Sequence, residues 1–501
     1  MLNNKKKISR NLIWGILSEL VTIALGVLVP RLVLISYGSE VNGLLSSVTQ
    51  IYSYLGLIEA GIGVATIQAL YKSIGSDDKK RTNAILSATN RYYRRTGFLY
   101  FFAICVFSLL YPIIVKSEIP FITVVLIIAF NGMGNVISFF FQGKYFLLLQ
   151  AEGKNYIKTS LNMIINILKQ AAKIFLMARG FDVVFVQAMS MIISLIQMVY
   201  ILWYIRKNYD WIDINATPDY ESISQSKNVL IHQVTGLIFY NTDAITLSVF
   251  CGLKVVSIYS MYTLLFGMIS TALNTVTSSV VFSLGQMFHK DRSNFIKMYD
   301  AFETIYITLV FSLYSIANFF ILPFMKLYTS GVNDINYIDR ILPLLFISTY
   351  LLSCGRIAST HVISFAGHFK ATQNRAILEA GINVIVSIIA VNFLGIYGVL
   401  VGTVAALMYR ANDLILYSAH KILNRSAMIT YKRWLINLIV FLVILLINRH
   451  LNIEMTSYKD IFLILIPYGL STVLLFFCIM AIFEHKTTSY ILRIIRAHFV
   501  R

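Results

Sequence analysis

A polar stripe on an otherwise apolar helix is the strongest chemical signal in the sequence. Between residues 157 and 179, polar residues follow one another at intervals of three, four, three and four positions, which places them on one helical face. These residues are Thr159, Asn162, Asn166, Lys169 and Lys173. Such a stripe is typical of the wall of an aqueous cavity, and its two lysines would make that cavity cationic.

The alternative for these lysines is snorkelling, in which the amine reaches the membrane surface along its own side chain. Lys169 lies about 11 residues from either end of its apolar segment. At 1.5 Å per residue this is roughly 16 Å from either surface, beyond a lysine's reach. Lys173 is nearer one end and can snorkel in part. The cavity interpretation is therefore favoured for both, more strongly for Lys169.

A second stripe lies in the second half of the chain, where Thr349, Ser353, Arg356, Thr360 and Ser364 share a face. Arg356 lies well inside an apolar segment, where an ionisable group normally faces protein or water. We interpret it as a second cavity cation. The alternative is a buried ion pair that holds two helices together.

Further charged residues fall inside apolar segments. Arg410 and Asp413 are three positions apart, which allows a mutual structural ion pair. The acids Glu19, Glu59 and Asp243 could bind H⁺ or Na⁺, or could pair with the lysines. The sequence does not separate these roles, so coupling to an H⁺ or Na⁺ gradient stays an open alternative.

Motifs for catalysis are missing from the sequence. It contains no GxGxxG or Walker loop and no HExxH. The four cysteines are widely spaced and form no CxxC, so neither a zinc site nor a disulfide framework is predicted. We therefore expect no enzyme activity, no cofactor and no metal.

The composition is that of an integral membrane protein. Of 501 residues, 57% are hydrophobic and only 13% charged, against about 25% charged in soluble domains. Apolar stretches of about 20 residues, the length of a membrane-spanning helix, recur along the chain. We predict fourteen spans, at 11–36, 42–71, 97–116, 121–143, 157–179, 182–205, 228–250, 255–284, 300–325, 341–366, 376–394, 397–419, 433–448 and 461–483.

The net charge of +19 indicates the orientation of the chain in the membrane rather than nucleic-acid binding. With the N-terminus cytoplasmic, about 30 of the 42 Lys and Arg residues fall in inner segments and about 8 in outer ones. The apolar run after Lys5 to Lys7 resembles a signal peptide. It is longer than the apolar region of a signal peptide, so we expect it to be retained as the first span. Both termini are predicted to be cytoplasmic.

An internal repeat divides the chain. SRNLIW at Ser9–Trp14 recurs as SKNVLI at Ser226–Ile231, and YGSEVNGLL at Tyr37–Leu45 resembles CGLKVVSIY at Cys251–Tyr259. Repeated halves around a central site are a recurrent transporter design. The predicted organisation is a six-helix bundle (1–205), a cytoplasmic linker (206–227), a second six-helix bundle (228–420), two additional helices (421–486) and a cytoplasmic amphipathic tail (487–501).

Five segments follow one another in a characteristic order and spacing: SRNLIWG and residues 37–63, 141–157, 239–262 and 364–403. Through them the chain resembles the Wzx-type polysaccharide flippases of the multidrug/oligosaccharidyl-lipid/polysaccharide exporter superfamily. It implies an all-α protein of the bacterial cytoplasmic membrane, with two six-helix bundles around a central V-shaped cavity.

The resemblance further implies alternating access and transport of an undecaprenyl-diphosphate-linked oligosaccharide to the outer leaflet, for O-antigen, capsule or exopolysaccharide. Implied partners are membrane lipids, a polysaccharide polymerase and a chain-length regulator, and no nucleic acid. A diphosphate leaving water needs Lys or Arg, which the predicted cationic cavity supplies.

Three alternatives differ in cargo or class. A drug or cation exporter of the same superfamily carries cationic cargo, which Lys169, Lys173 and Arg356 would repel. A peptidoglycan lipid-precursor flippase shares the lipid diphosphate. A membrane polysaccharide polymerase or glycosyltransferase generally needs a large outer loop, whereas the longest one here, residues 326–340, has about 15 residues.

Overall fold

The computed structural model describes the backbone of residues 2–56, 62–223, 227–451 and 453–499. Helices joined by short connections make up these residues, and no strand occurs among them. The predicted all-α class is confirmed. The candidate acid Glu59 lies outside the described residues.

The helices are numbered here in chain order. Those from the first half of the chain are α1 (Leu2–Leu55), α2 (Ile62–Gly75), α3 (Lys79–Ile114), α4 (Phe121–Ile137), α5 (Gly143–Ala151), α6 (Asn155–Ala178), α7 (Val183–Asn208) and α8 (Lys227–Phe250). Those that follow are α9 (Leu253–Lys290), α10 (Arg292–Tyr328), α11 (Leu342–Gly355), α12 (Ile357–Phe365), α13 (Phe369–Leu394), α14 (Ile396–Tyr417), α15 (Met428–His450), α16 (Tyr458–Phe483) and α17 (His485–Phe499).

Within the described residues, twelve helices are long and apolar enough to cross a membrane. The difference from the fourteen predicted spans lies in two places. The first two predicted spans meet inside α1, which is broken at Gly38, where φ is +81°. Glycine adopts this left-handed conformation without the steric penalty of a Cβ. The seventh predicted span coincides with α8, which is not among the twelve.

The chain forms two compact units, Met1–Ser257 and Ile258–Arg501. The boundary therefore follows α8, whereas the repeat places it at the linker. Contacts with the second part of α1 explain why α8 belongs to the first unit: the Tyr54 hydroxyl lies 2.7 Å from Thr242 Oγ1. Whether the two predicted six-helix bundles superpose stays a prediction.

The predicted linker packs against the first unit. The Asn83 side chain donates to the Trp211 carbonyl at 3.0 Å and accepts from the backbone N–H of Asp213 at 3.2 Å. Tyr209, at the end of α7, is buried, and its hydroxyl donates to a Glu152 carboxylate oxygen. These bonds tie the start of the linker to α3 and to the connection between α5 and α6.

A close helix contact in the first unit depends on a glycine. A Cβ at Gly43 would lie 1.8 Å from the carbonyl oxygen of Leu253, and the neighbouring Asn42 donates to Ser257 Oγ at 2.7 Å. No larger side chain fits here without displacing backbone. The second part of α1 and the start of α9 are therefore held in close contact.

We expect Gly43→Ala to destabilise the protein by about 1–3 kcal/mol, because the added methyl group overpacks this contact. Gly26→Ala is the matched control on the same helix, since a Cβ there meets nothing within 4 Å. That control should be neutral or slightly stabilising. The measurement is the thermal midpoint of each purified variant in detergent, and equal midpoints would show that the close approach is absent in solution.

In the second unit, α10 is the central helix and packs against α11, α15 and α16. Aromatic contacts dock α16 on it, with the Phe319 and Tyr468 rings stacked at 4.5 Å between centroids. The two additional predicted helices, α15 and α16, therefore pack against the central helix of the second unit. The predicted amphipathic tail forms a separate helix, α17, that contacts α10 and α16.

Candidate functional site: a cationic stripe on α6

The two sides of α6 carry different kinds of side chain. Its large exposed apolar side chains, Ile164, Leu168 and Phe175, lie on one side of the helix. At 100° per residue the polar stripe falls roughly on the opposite side. The stripe is therefore separated from the exposed apolar side chains of the same helix. Local periodicity was sufficient to predict this arrangement.

Both lysines of the stripe are half-buried on α6. Within the described part of the chain, neither ammonium has a hydrogen bond or an ion pair, although Lys169 and Lys173 are one helical turn apart. Two neighbouring like charges in a partly desolvated position are unfavourable unless an anion or water compensates them. The arrangement is therefore suited to receive an anion.

Among the residues that the structure describes, the amides of the stripe have partners on one atom only. Asn162 Oδ1 accepts from Gln197 Nε2 of α7 at 2.7 Å, and Asn166 Oδ1 accepts from Gln170 Nε2 at 3.4 Å. Both amides therefore accept through oxygen, and their Nδ2 groups are oriented as donors. A ligand beside the lysines would meet these donors as well.

Helix α1 runs parallel to α6 and is tied to it at both ends. At one end the Asn11 side chain accepts from the backbone N–H of Tyr156 at 2.6 Å, and at the other the Tyr37 hydroxyl donates to the Phe181 carbonyl at 2.7 Å. Glu19 lies on α1 between these ties, is exposed, and has no ion pair to any described residue. The alternative in which Glu19 pairs with a lysine of α6 is not the arrangement seen here.

Asp243 is almost fully buried on α8, beside the buried Asn241. The adjoining Thr242 and Tyr54 make the hydrogen bond that links α8 to α1. The structure thus places Asp243 in a polar seam between α8 and the second part of α1. Its role in ion coupling stays a prediction.

Arg356 lies at the break between α11 and α12 and forms an ion pair with Glu379 of α13. The buried ion pair considered as its alternative is therefore the geometry of this conformation. Glu379 also lies 3.3 Å from Arg410 Nε, and Arg410 Nη1 lies 2.7 Å from Asp413 Oδ2. Asp413 in turn pairs with Arg375.

We call Arg356, Arg375, Glu379, Arg410 and Asp413 the arginine cluster. It contains three cations and two carboxylates, so it carries one net positive charge inside the second unit. The side chain of Arg375 is 40% exposed and that of Arg410 only 8%. Arg375 is therefore the member best able to contact an anion outside the cluster.

Sequence reasoning missed two members of this cluster. Glu379 lies inside the predicted span 376–394, and this position within a span was a usable signal. Arg375 lies one residue outside that span, so its position gave no signal of a buried contact. Glu379 contacts Arg356 and Arg410, and Arg375 contacts Asp413. These partners lie outside α13, so periodicity on one helix does not reveal them.

A second buried charge network ties α10 to the last helices. Arg433 contacts Glu303, Asp300 at 2.9 Å and Glu484 at 3.4 Å, and Arg425 also pairs with both Asp300 and Glu303. Burial raises the pKa of Glu484, but the hydrogen bond from Lys432 and the charge of Arg433 hold it below its usual value. With Lys432 included, cations and carboxylates balance, which indicates a structural role.

No family model matches the chain, and no curated protein matches it. Several solved structures do match the chain. The inward closed conformation of the lipid II flippase MurJ matches with a TM-score of 0.70 at 15% identity, covering 95% of this chain and 99% of that one. This chain has the fold of a membrane transporter.

Two further structures agree with this fold. An inward-facing multidrug resistance MATE transporter of the MOP superfamily matches with a TM-score of 0.62 at 17% identity, covering 85% and 99% of the two chains. A MOP superfamily transporter from Pyrococcus furiosus matches with a TM-score of 0.54 at 16% identity, covering 84% and 97%. The fold and the multi-pass membrane character follow from these matches and from the apolar helices.

Proposed function

We propose that the chain is a flippase that carries undecaprenyl-diphosphate-linked oligosaccharide repeat units across the bacterial cytoplasmic membrane by alternating access. The product would serve the synthesis of O-antigen, capsule or exopolysaccharide. One observation carries the proposal: two half-buried lysines, with no partner among the described residues, lie on the side of α6 opposite its exposed apolar side chains. The shared fold with a lipid II flippase supports it.

Cargo binding would begin at the stripe of α6. A diphosphate that leaves water needs charge-assisted hydrogen bonds, which Lys169 and Lys173 supply as ammonium donors. Asn162 and Asn166 would add neutral donors through Nδ2. Neutralisation of the two lysines by the diphosphate would also relieve the repulsion between them.

The second unit would contribute through the arginine cluster. Arg375 offers the most exposed guanidinium, and Arg356 would bind cargo by exchanging Glu379 for the diphosphate. Lys169 and Arg356 would then act in turn or together during the cycle. In this proposal Glu19, Glu59 or Asp243 would couple transport to an H⁺ or Na⁺ gradient.

The alternatives differ in how well they fit this site. Two lysines without partners oppose a cationic drug as cargo. The lipid II flippase match covers 95% of the chain and the inward-facing MATE match 85%, which favours a lipid-linked cargo. A peptidoglycan lipid-precursor flippase remains the runner-up because it shares the diphosphate. A polymerase or glycosyltransferase is the alternative of another class, and the short outer connections predicted from the sequence argue against it.

Complementation of two bacterial strains tests the proposal. One strain lacks its surface-polysaccharide flippase, and the other is depleted of its peptidoglycan-precursor flippase. We expect the chain to restore surface polysaccharide in the first strain and not growth in the second, with membrane levels checked by immunoblot. Rescue of the second strain would favour the runner-up, and rescue of neither by inserted protein would contradict the proposal.

A further inference from the structure

A shallow, open depression with a charged end runs along one face of α7, and we call it the groove. Its apolar part has a volume of about 520 Å³, and the described residues that line it are Ile192, Leu195, Ile196, Val199, Tyr200 and Trp203. A second cavity of about 510 Å³ continues from Val199 and Trp203 to Arg206 and Lys207. The groove therefore leads from an apolar region to two cations.

The dimensions match one leaflet of a bilayer. From Ile192 to Trp203 the helix advances eleven residues, or roughly 16 Å at 1.5 Å per residue. Half of a hydrocarbon core of about 30 Å is nearly the same length. Tyr200 and Trp203 lie at the charged end, where aromatic side chains mark the membrane–water interface. An acyl chain would fit beside the apolar residues, with its headgroup beyond Trp203.

The charged end favours an anion. Within the described residues, Arg206 and Lys207 have neither an ion pair nor a side-chain hydrogen bond, and Lys207 Nζ lies 5.0 Å from the centroid of the Trp203 ring. Basic residues are favoured in the last turn of any helix, but that does not account for the adjoining apolar groove. Together, the two features match an acyl chain and a phosphate.

We propose that this groove binds an anionic glycerophospholipid of the cytoplasmic leaflet. Its acyl chain would lie along Ile192 to Trp203, and its phosphate would contact Arg206 and Lys207. A membrane phospholipid is favoured over the polyprenyl cargo because the groove has the length of a single leaflet and lies on the lipid-exposed side of α7. The proposal is independent of the cargo assigned above.

Quenching of Trp203 by brominated lipids tests the site. The probe is the full-length chain with its other three tryptophans (Trp14, Trp211 and Trp434) changed to Phe, in phosphatidylcholine vesicles. Brominated phosphatidylglycerol should reach half-maximal quenching at about a fivefold to tenfold lower mole fraction than brominated phosphatidylcholine. Equal quenching by the two lipids would overturn the proposal.

Charge variants in the same background assign the preference to the groove. Arg206→Ala/Lys207→Ala should abolish it, and Arg91→Ala/Arg95→Ala, which removes two exposed cations of α3, should preserve it. A preference that survives the first variant, or disappears in both, would overturn the assigned site. Release of quenching by substoichiometric undecaprenyl diphosphate would assign the groove to the polyprenyl cargo and would also overturn the proposal.

Discussion

Polysaccharide export is expected to fall about 10- to 100-fold when Lys169 is replaced by Ala, and further in Lys169→Ala/Lys173→Ala. A charge-assisted hydrogen bond to phosphate contributes about 1.5–3 kcal/mol, and each 1.4 kcal/mol corresponds to a factor of ten. The half-buried position of both ammonium groups makes them more effective than surface lysines, because less water screens them.

The assay compares surface polysaccharide in a flippase-deletion strain carrying each variant, normalised to protein in the membrane. Lys158→Ala is the matched control, since Lys158 lies near the first turn of the same helix, roughly 16 Å along the axis from Lys169, and its Nζ lies 5.9 Å from the centroid of the Phe146 ring. It should retain nearly full export. Lys169→Arg should retain part of the activity because the charge survives. Full export by the double variant would remove α6 from the cargo pathway.

Arg433→Ala is expected to destabilise the protein by about 3–5 kcal/mol, because it leaves buried carboxylates without their counter-charge. The Arg433 side chain is only 2% exposed and contacts Asp300, Glu303 and Glu484. For a unit of this size, this loss of stability lowers the thermal midpoint by about 10 °C.

Lys432→Ala supplies the comparison for this network. Lys432 is the adjacent residue, pairs with Glu484 at 3.0 Å and is 50% exposed. Because water screens the exposed lysine, this pair is expected to contribute about 0–1 kcal/mol. Thermal midpoints in detergent should therefore separate the two variants clearly. If Arg433→Ala melted at the same temperature as Lys432→Ala, the network would not hold α15 and α16 to α10.

Arrangements that depend on one helix were predictable from the sequence. The stripe from Thr159 to Lys173 follows helical periodicity, and its position opposite the exposed apolar side chains of α6 needs no information from other helices. The pair Arg410 and Asp413 is likewise local, because three positions separate them. For these residues the spacing alone determines which side chains share a face.

Residues whose role depends on packing between helices were not predictable. The partner of Arg356 is Glu379, on another helix, and its choice follows from how α11, α13 and α14 meet. The network around Arg433 joins acids of α10 to residues more than 120 positions away. The break at Gly38 and the position of the unit boundary after α8 also follow from tertiary contacts.

Translocation by the purified chain is the most direct test of the proposed transport. The protein is reconstituted into liposomes that contain undecaprenyl diphosphate linked to a fluorescent oligosaccharide, and a membrane-impermeant quencher reports how much label changes leaflet. The account predicts translocation faster than in protein-free liposomes, reduced at least tenfold in Lys169→Ala/Lys173→Ala and unchanged in Lys158→Ala. Translocation at the protein-free rate by folded wild-type protein, with an imposed H⁺ or Na⁺ gradient as well as without one, would contradict it.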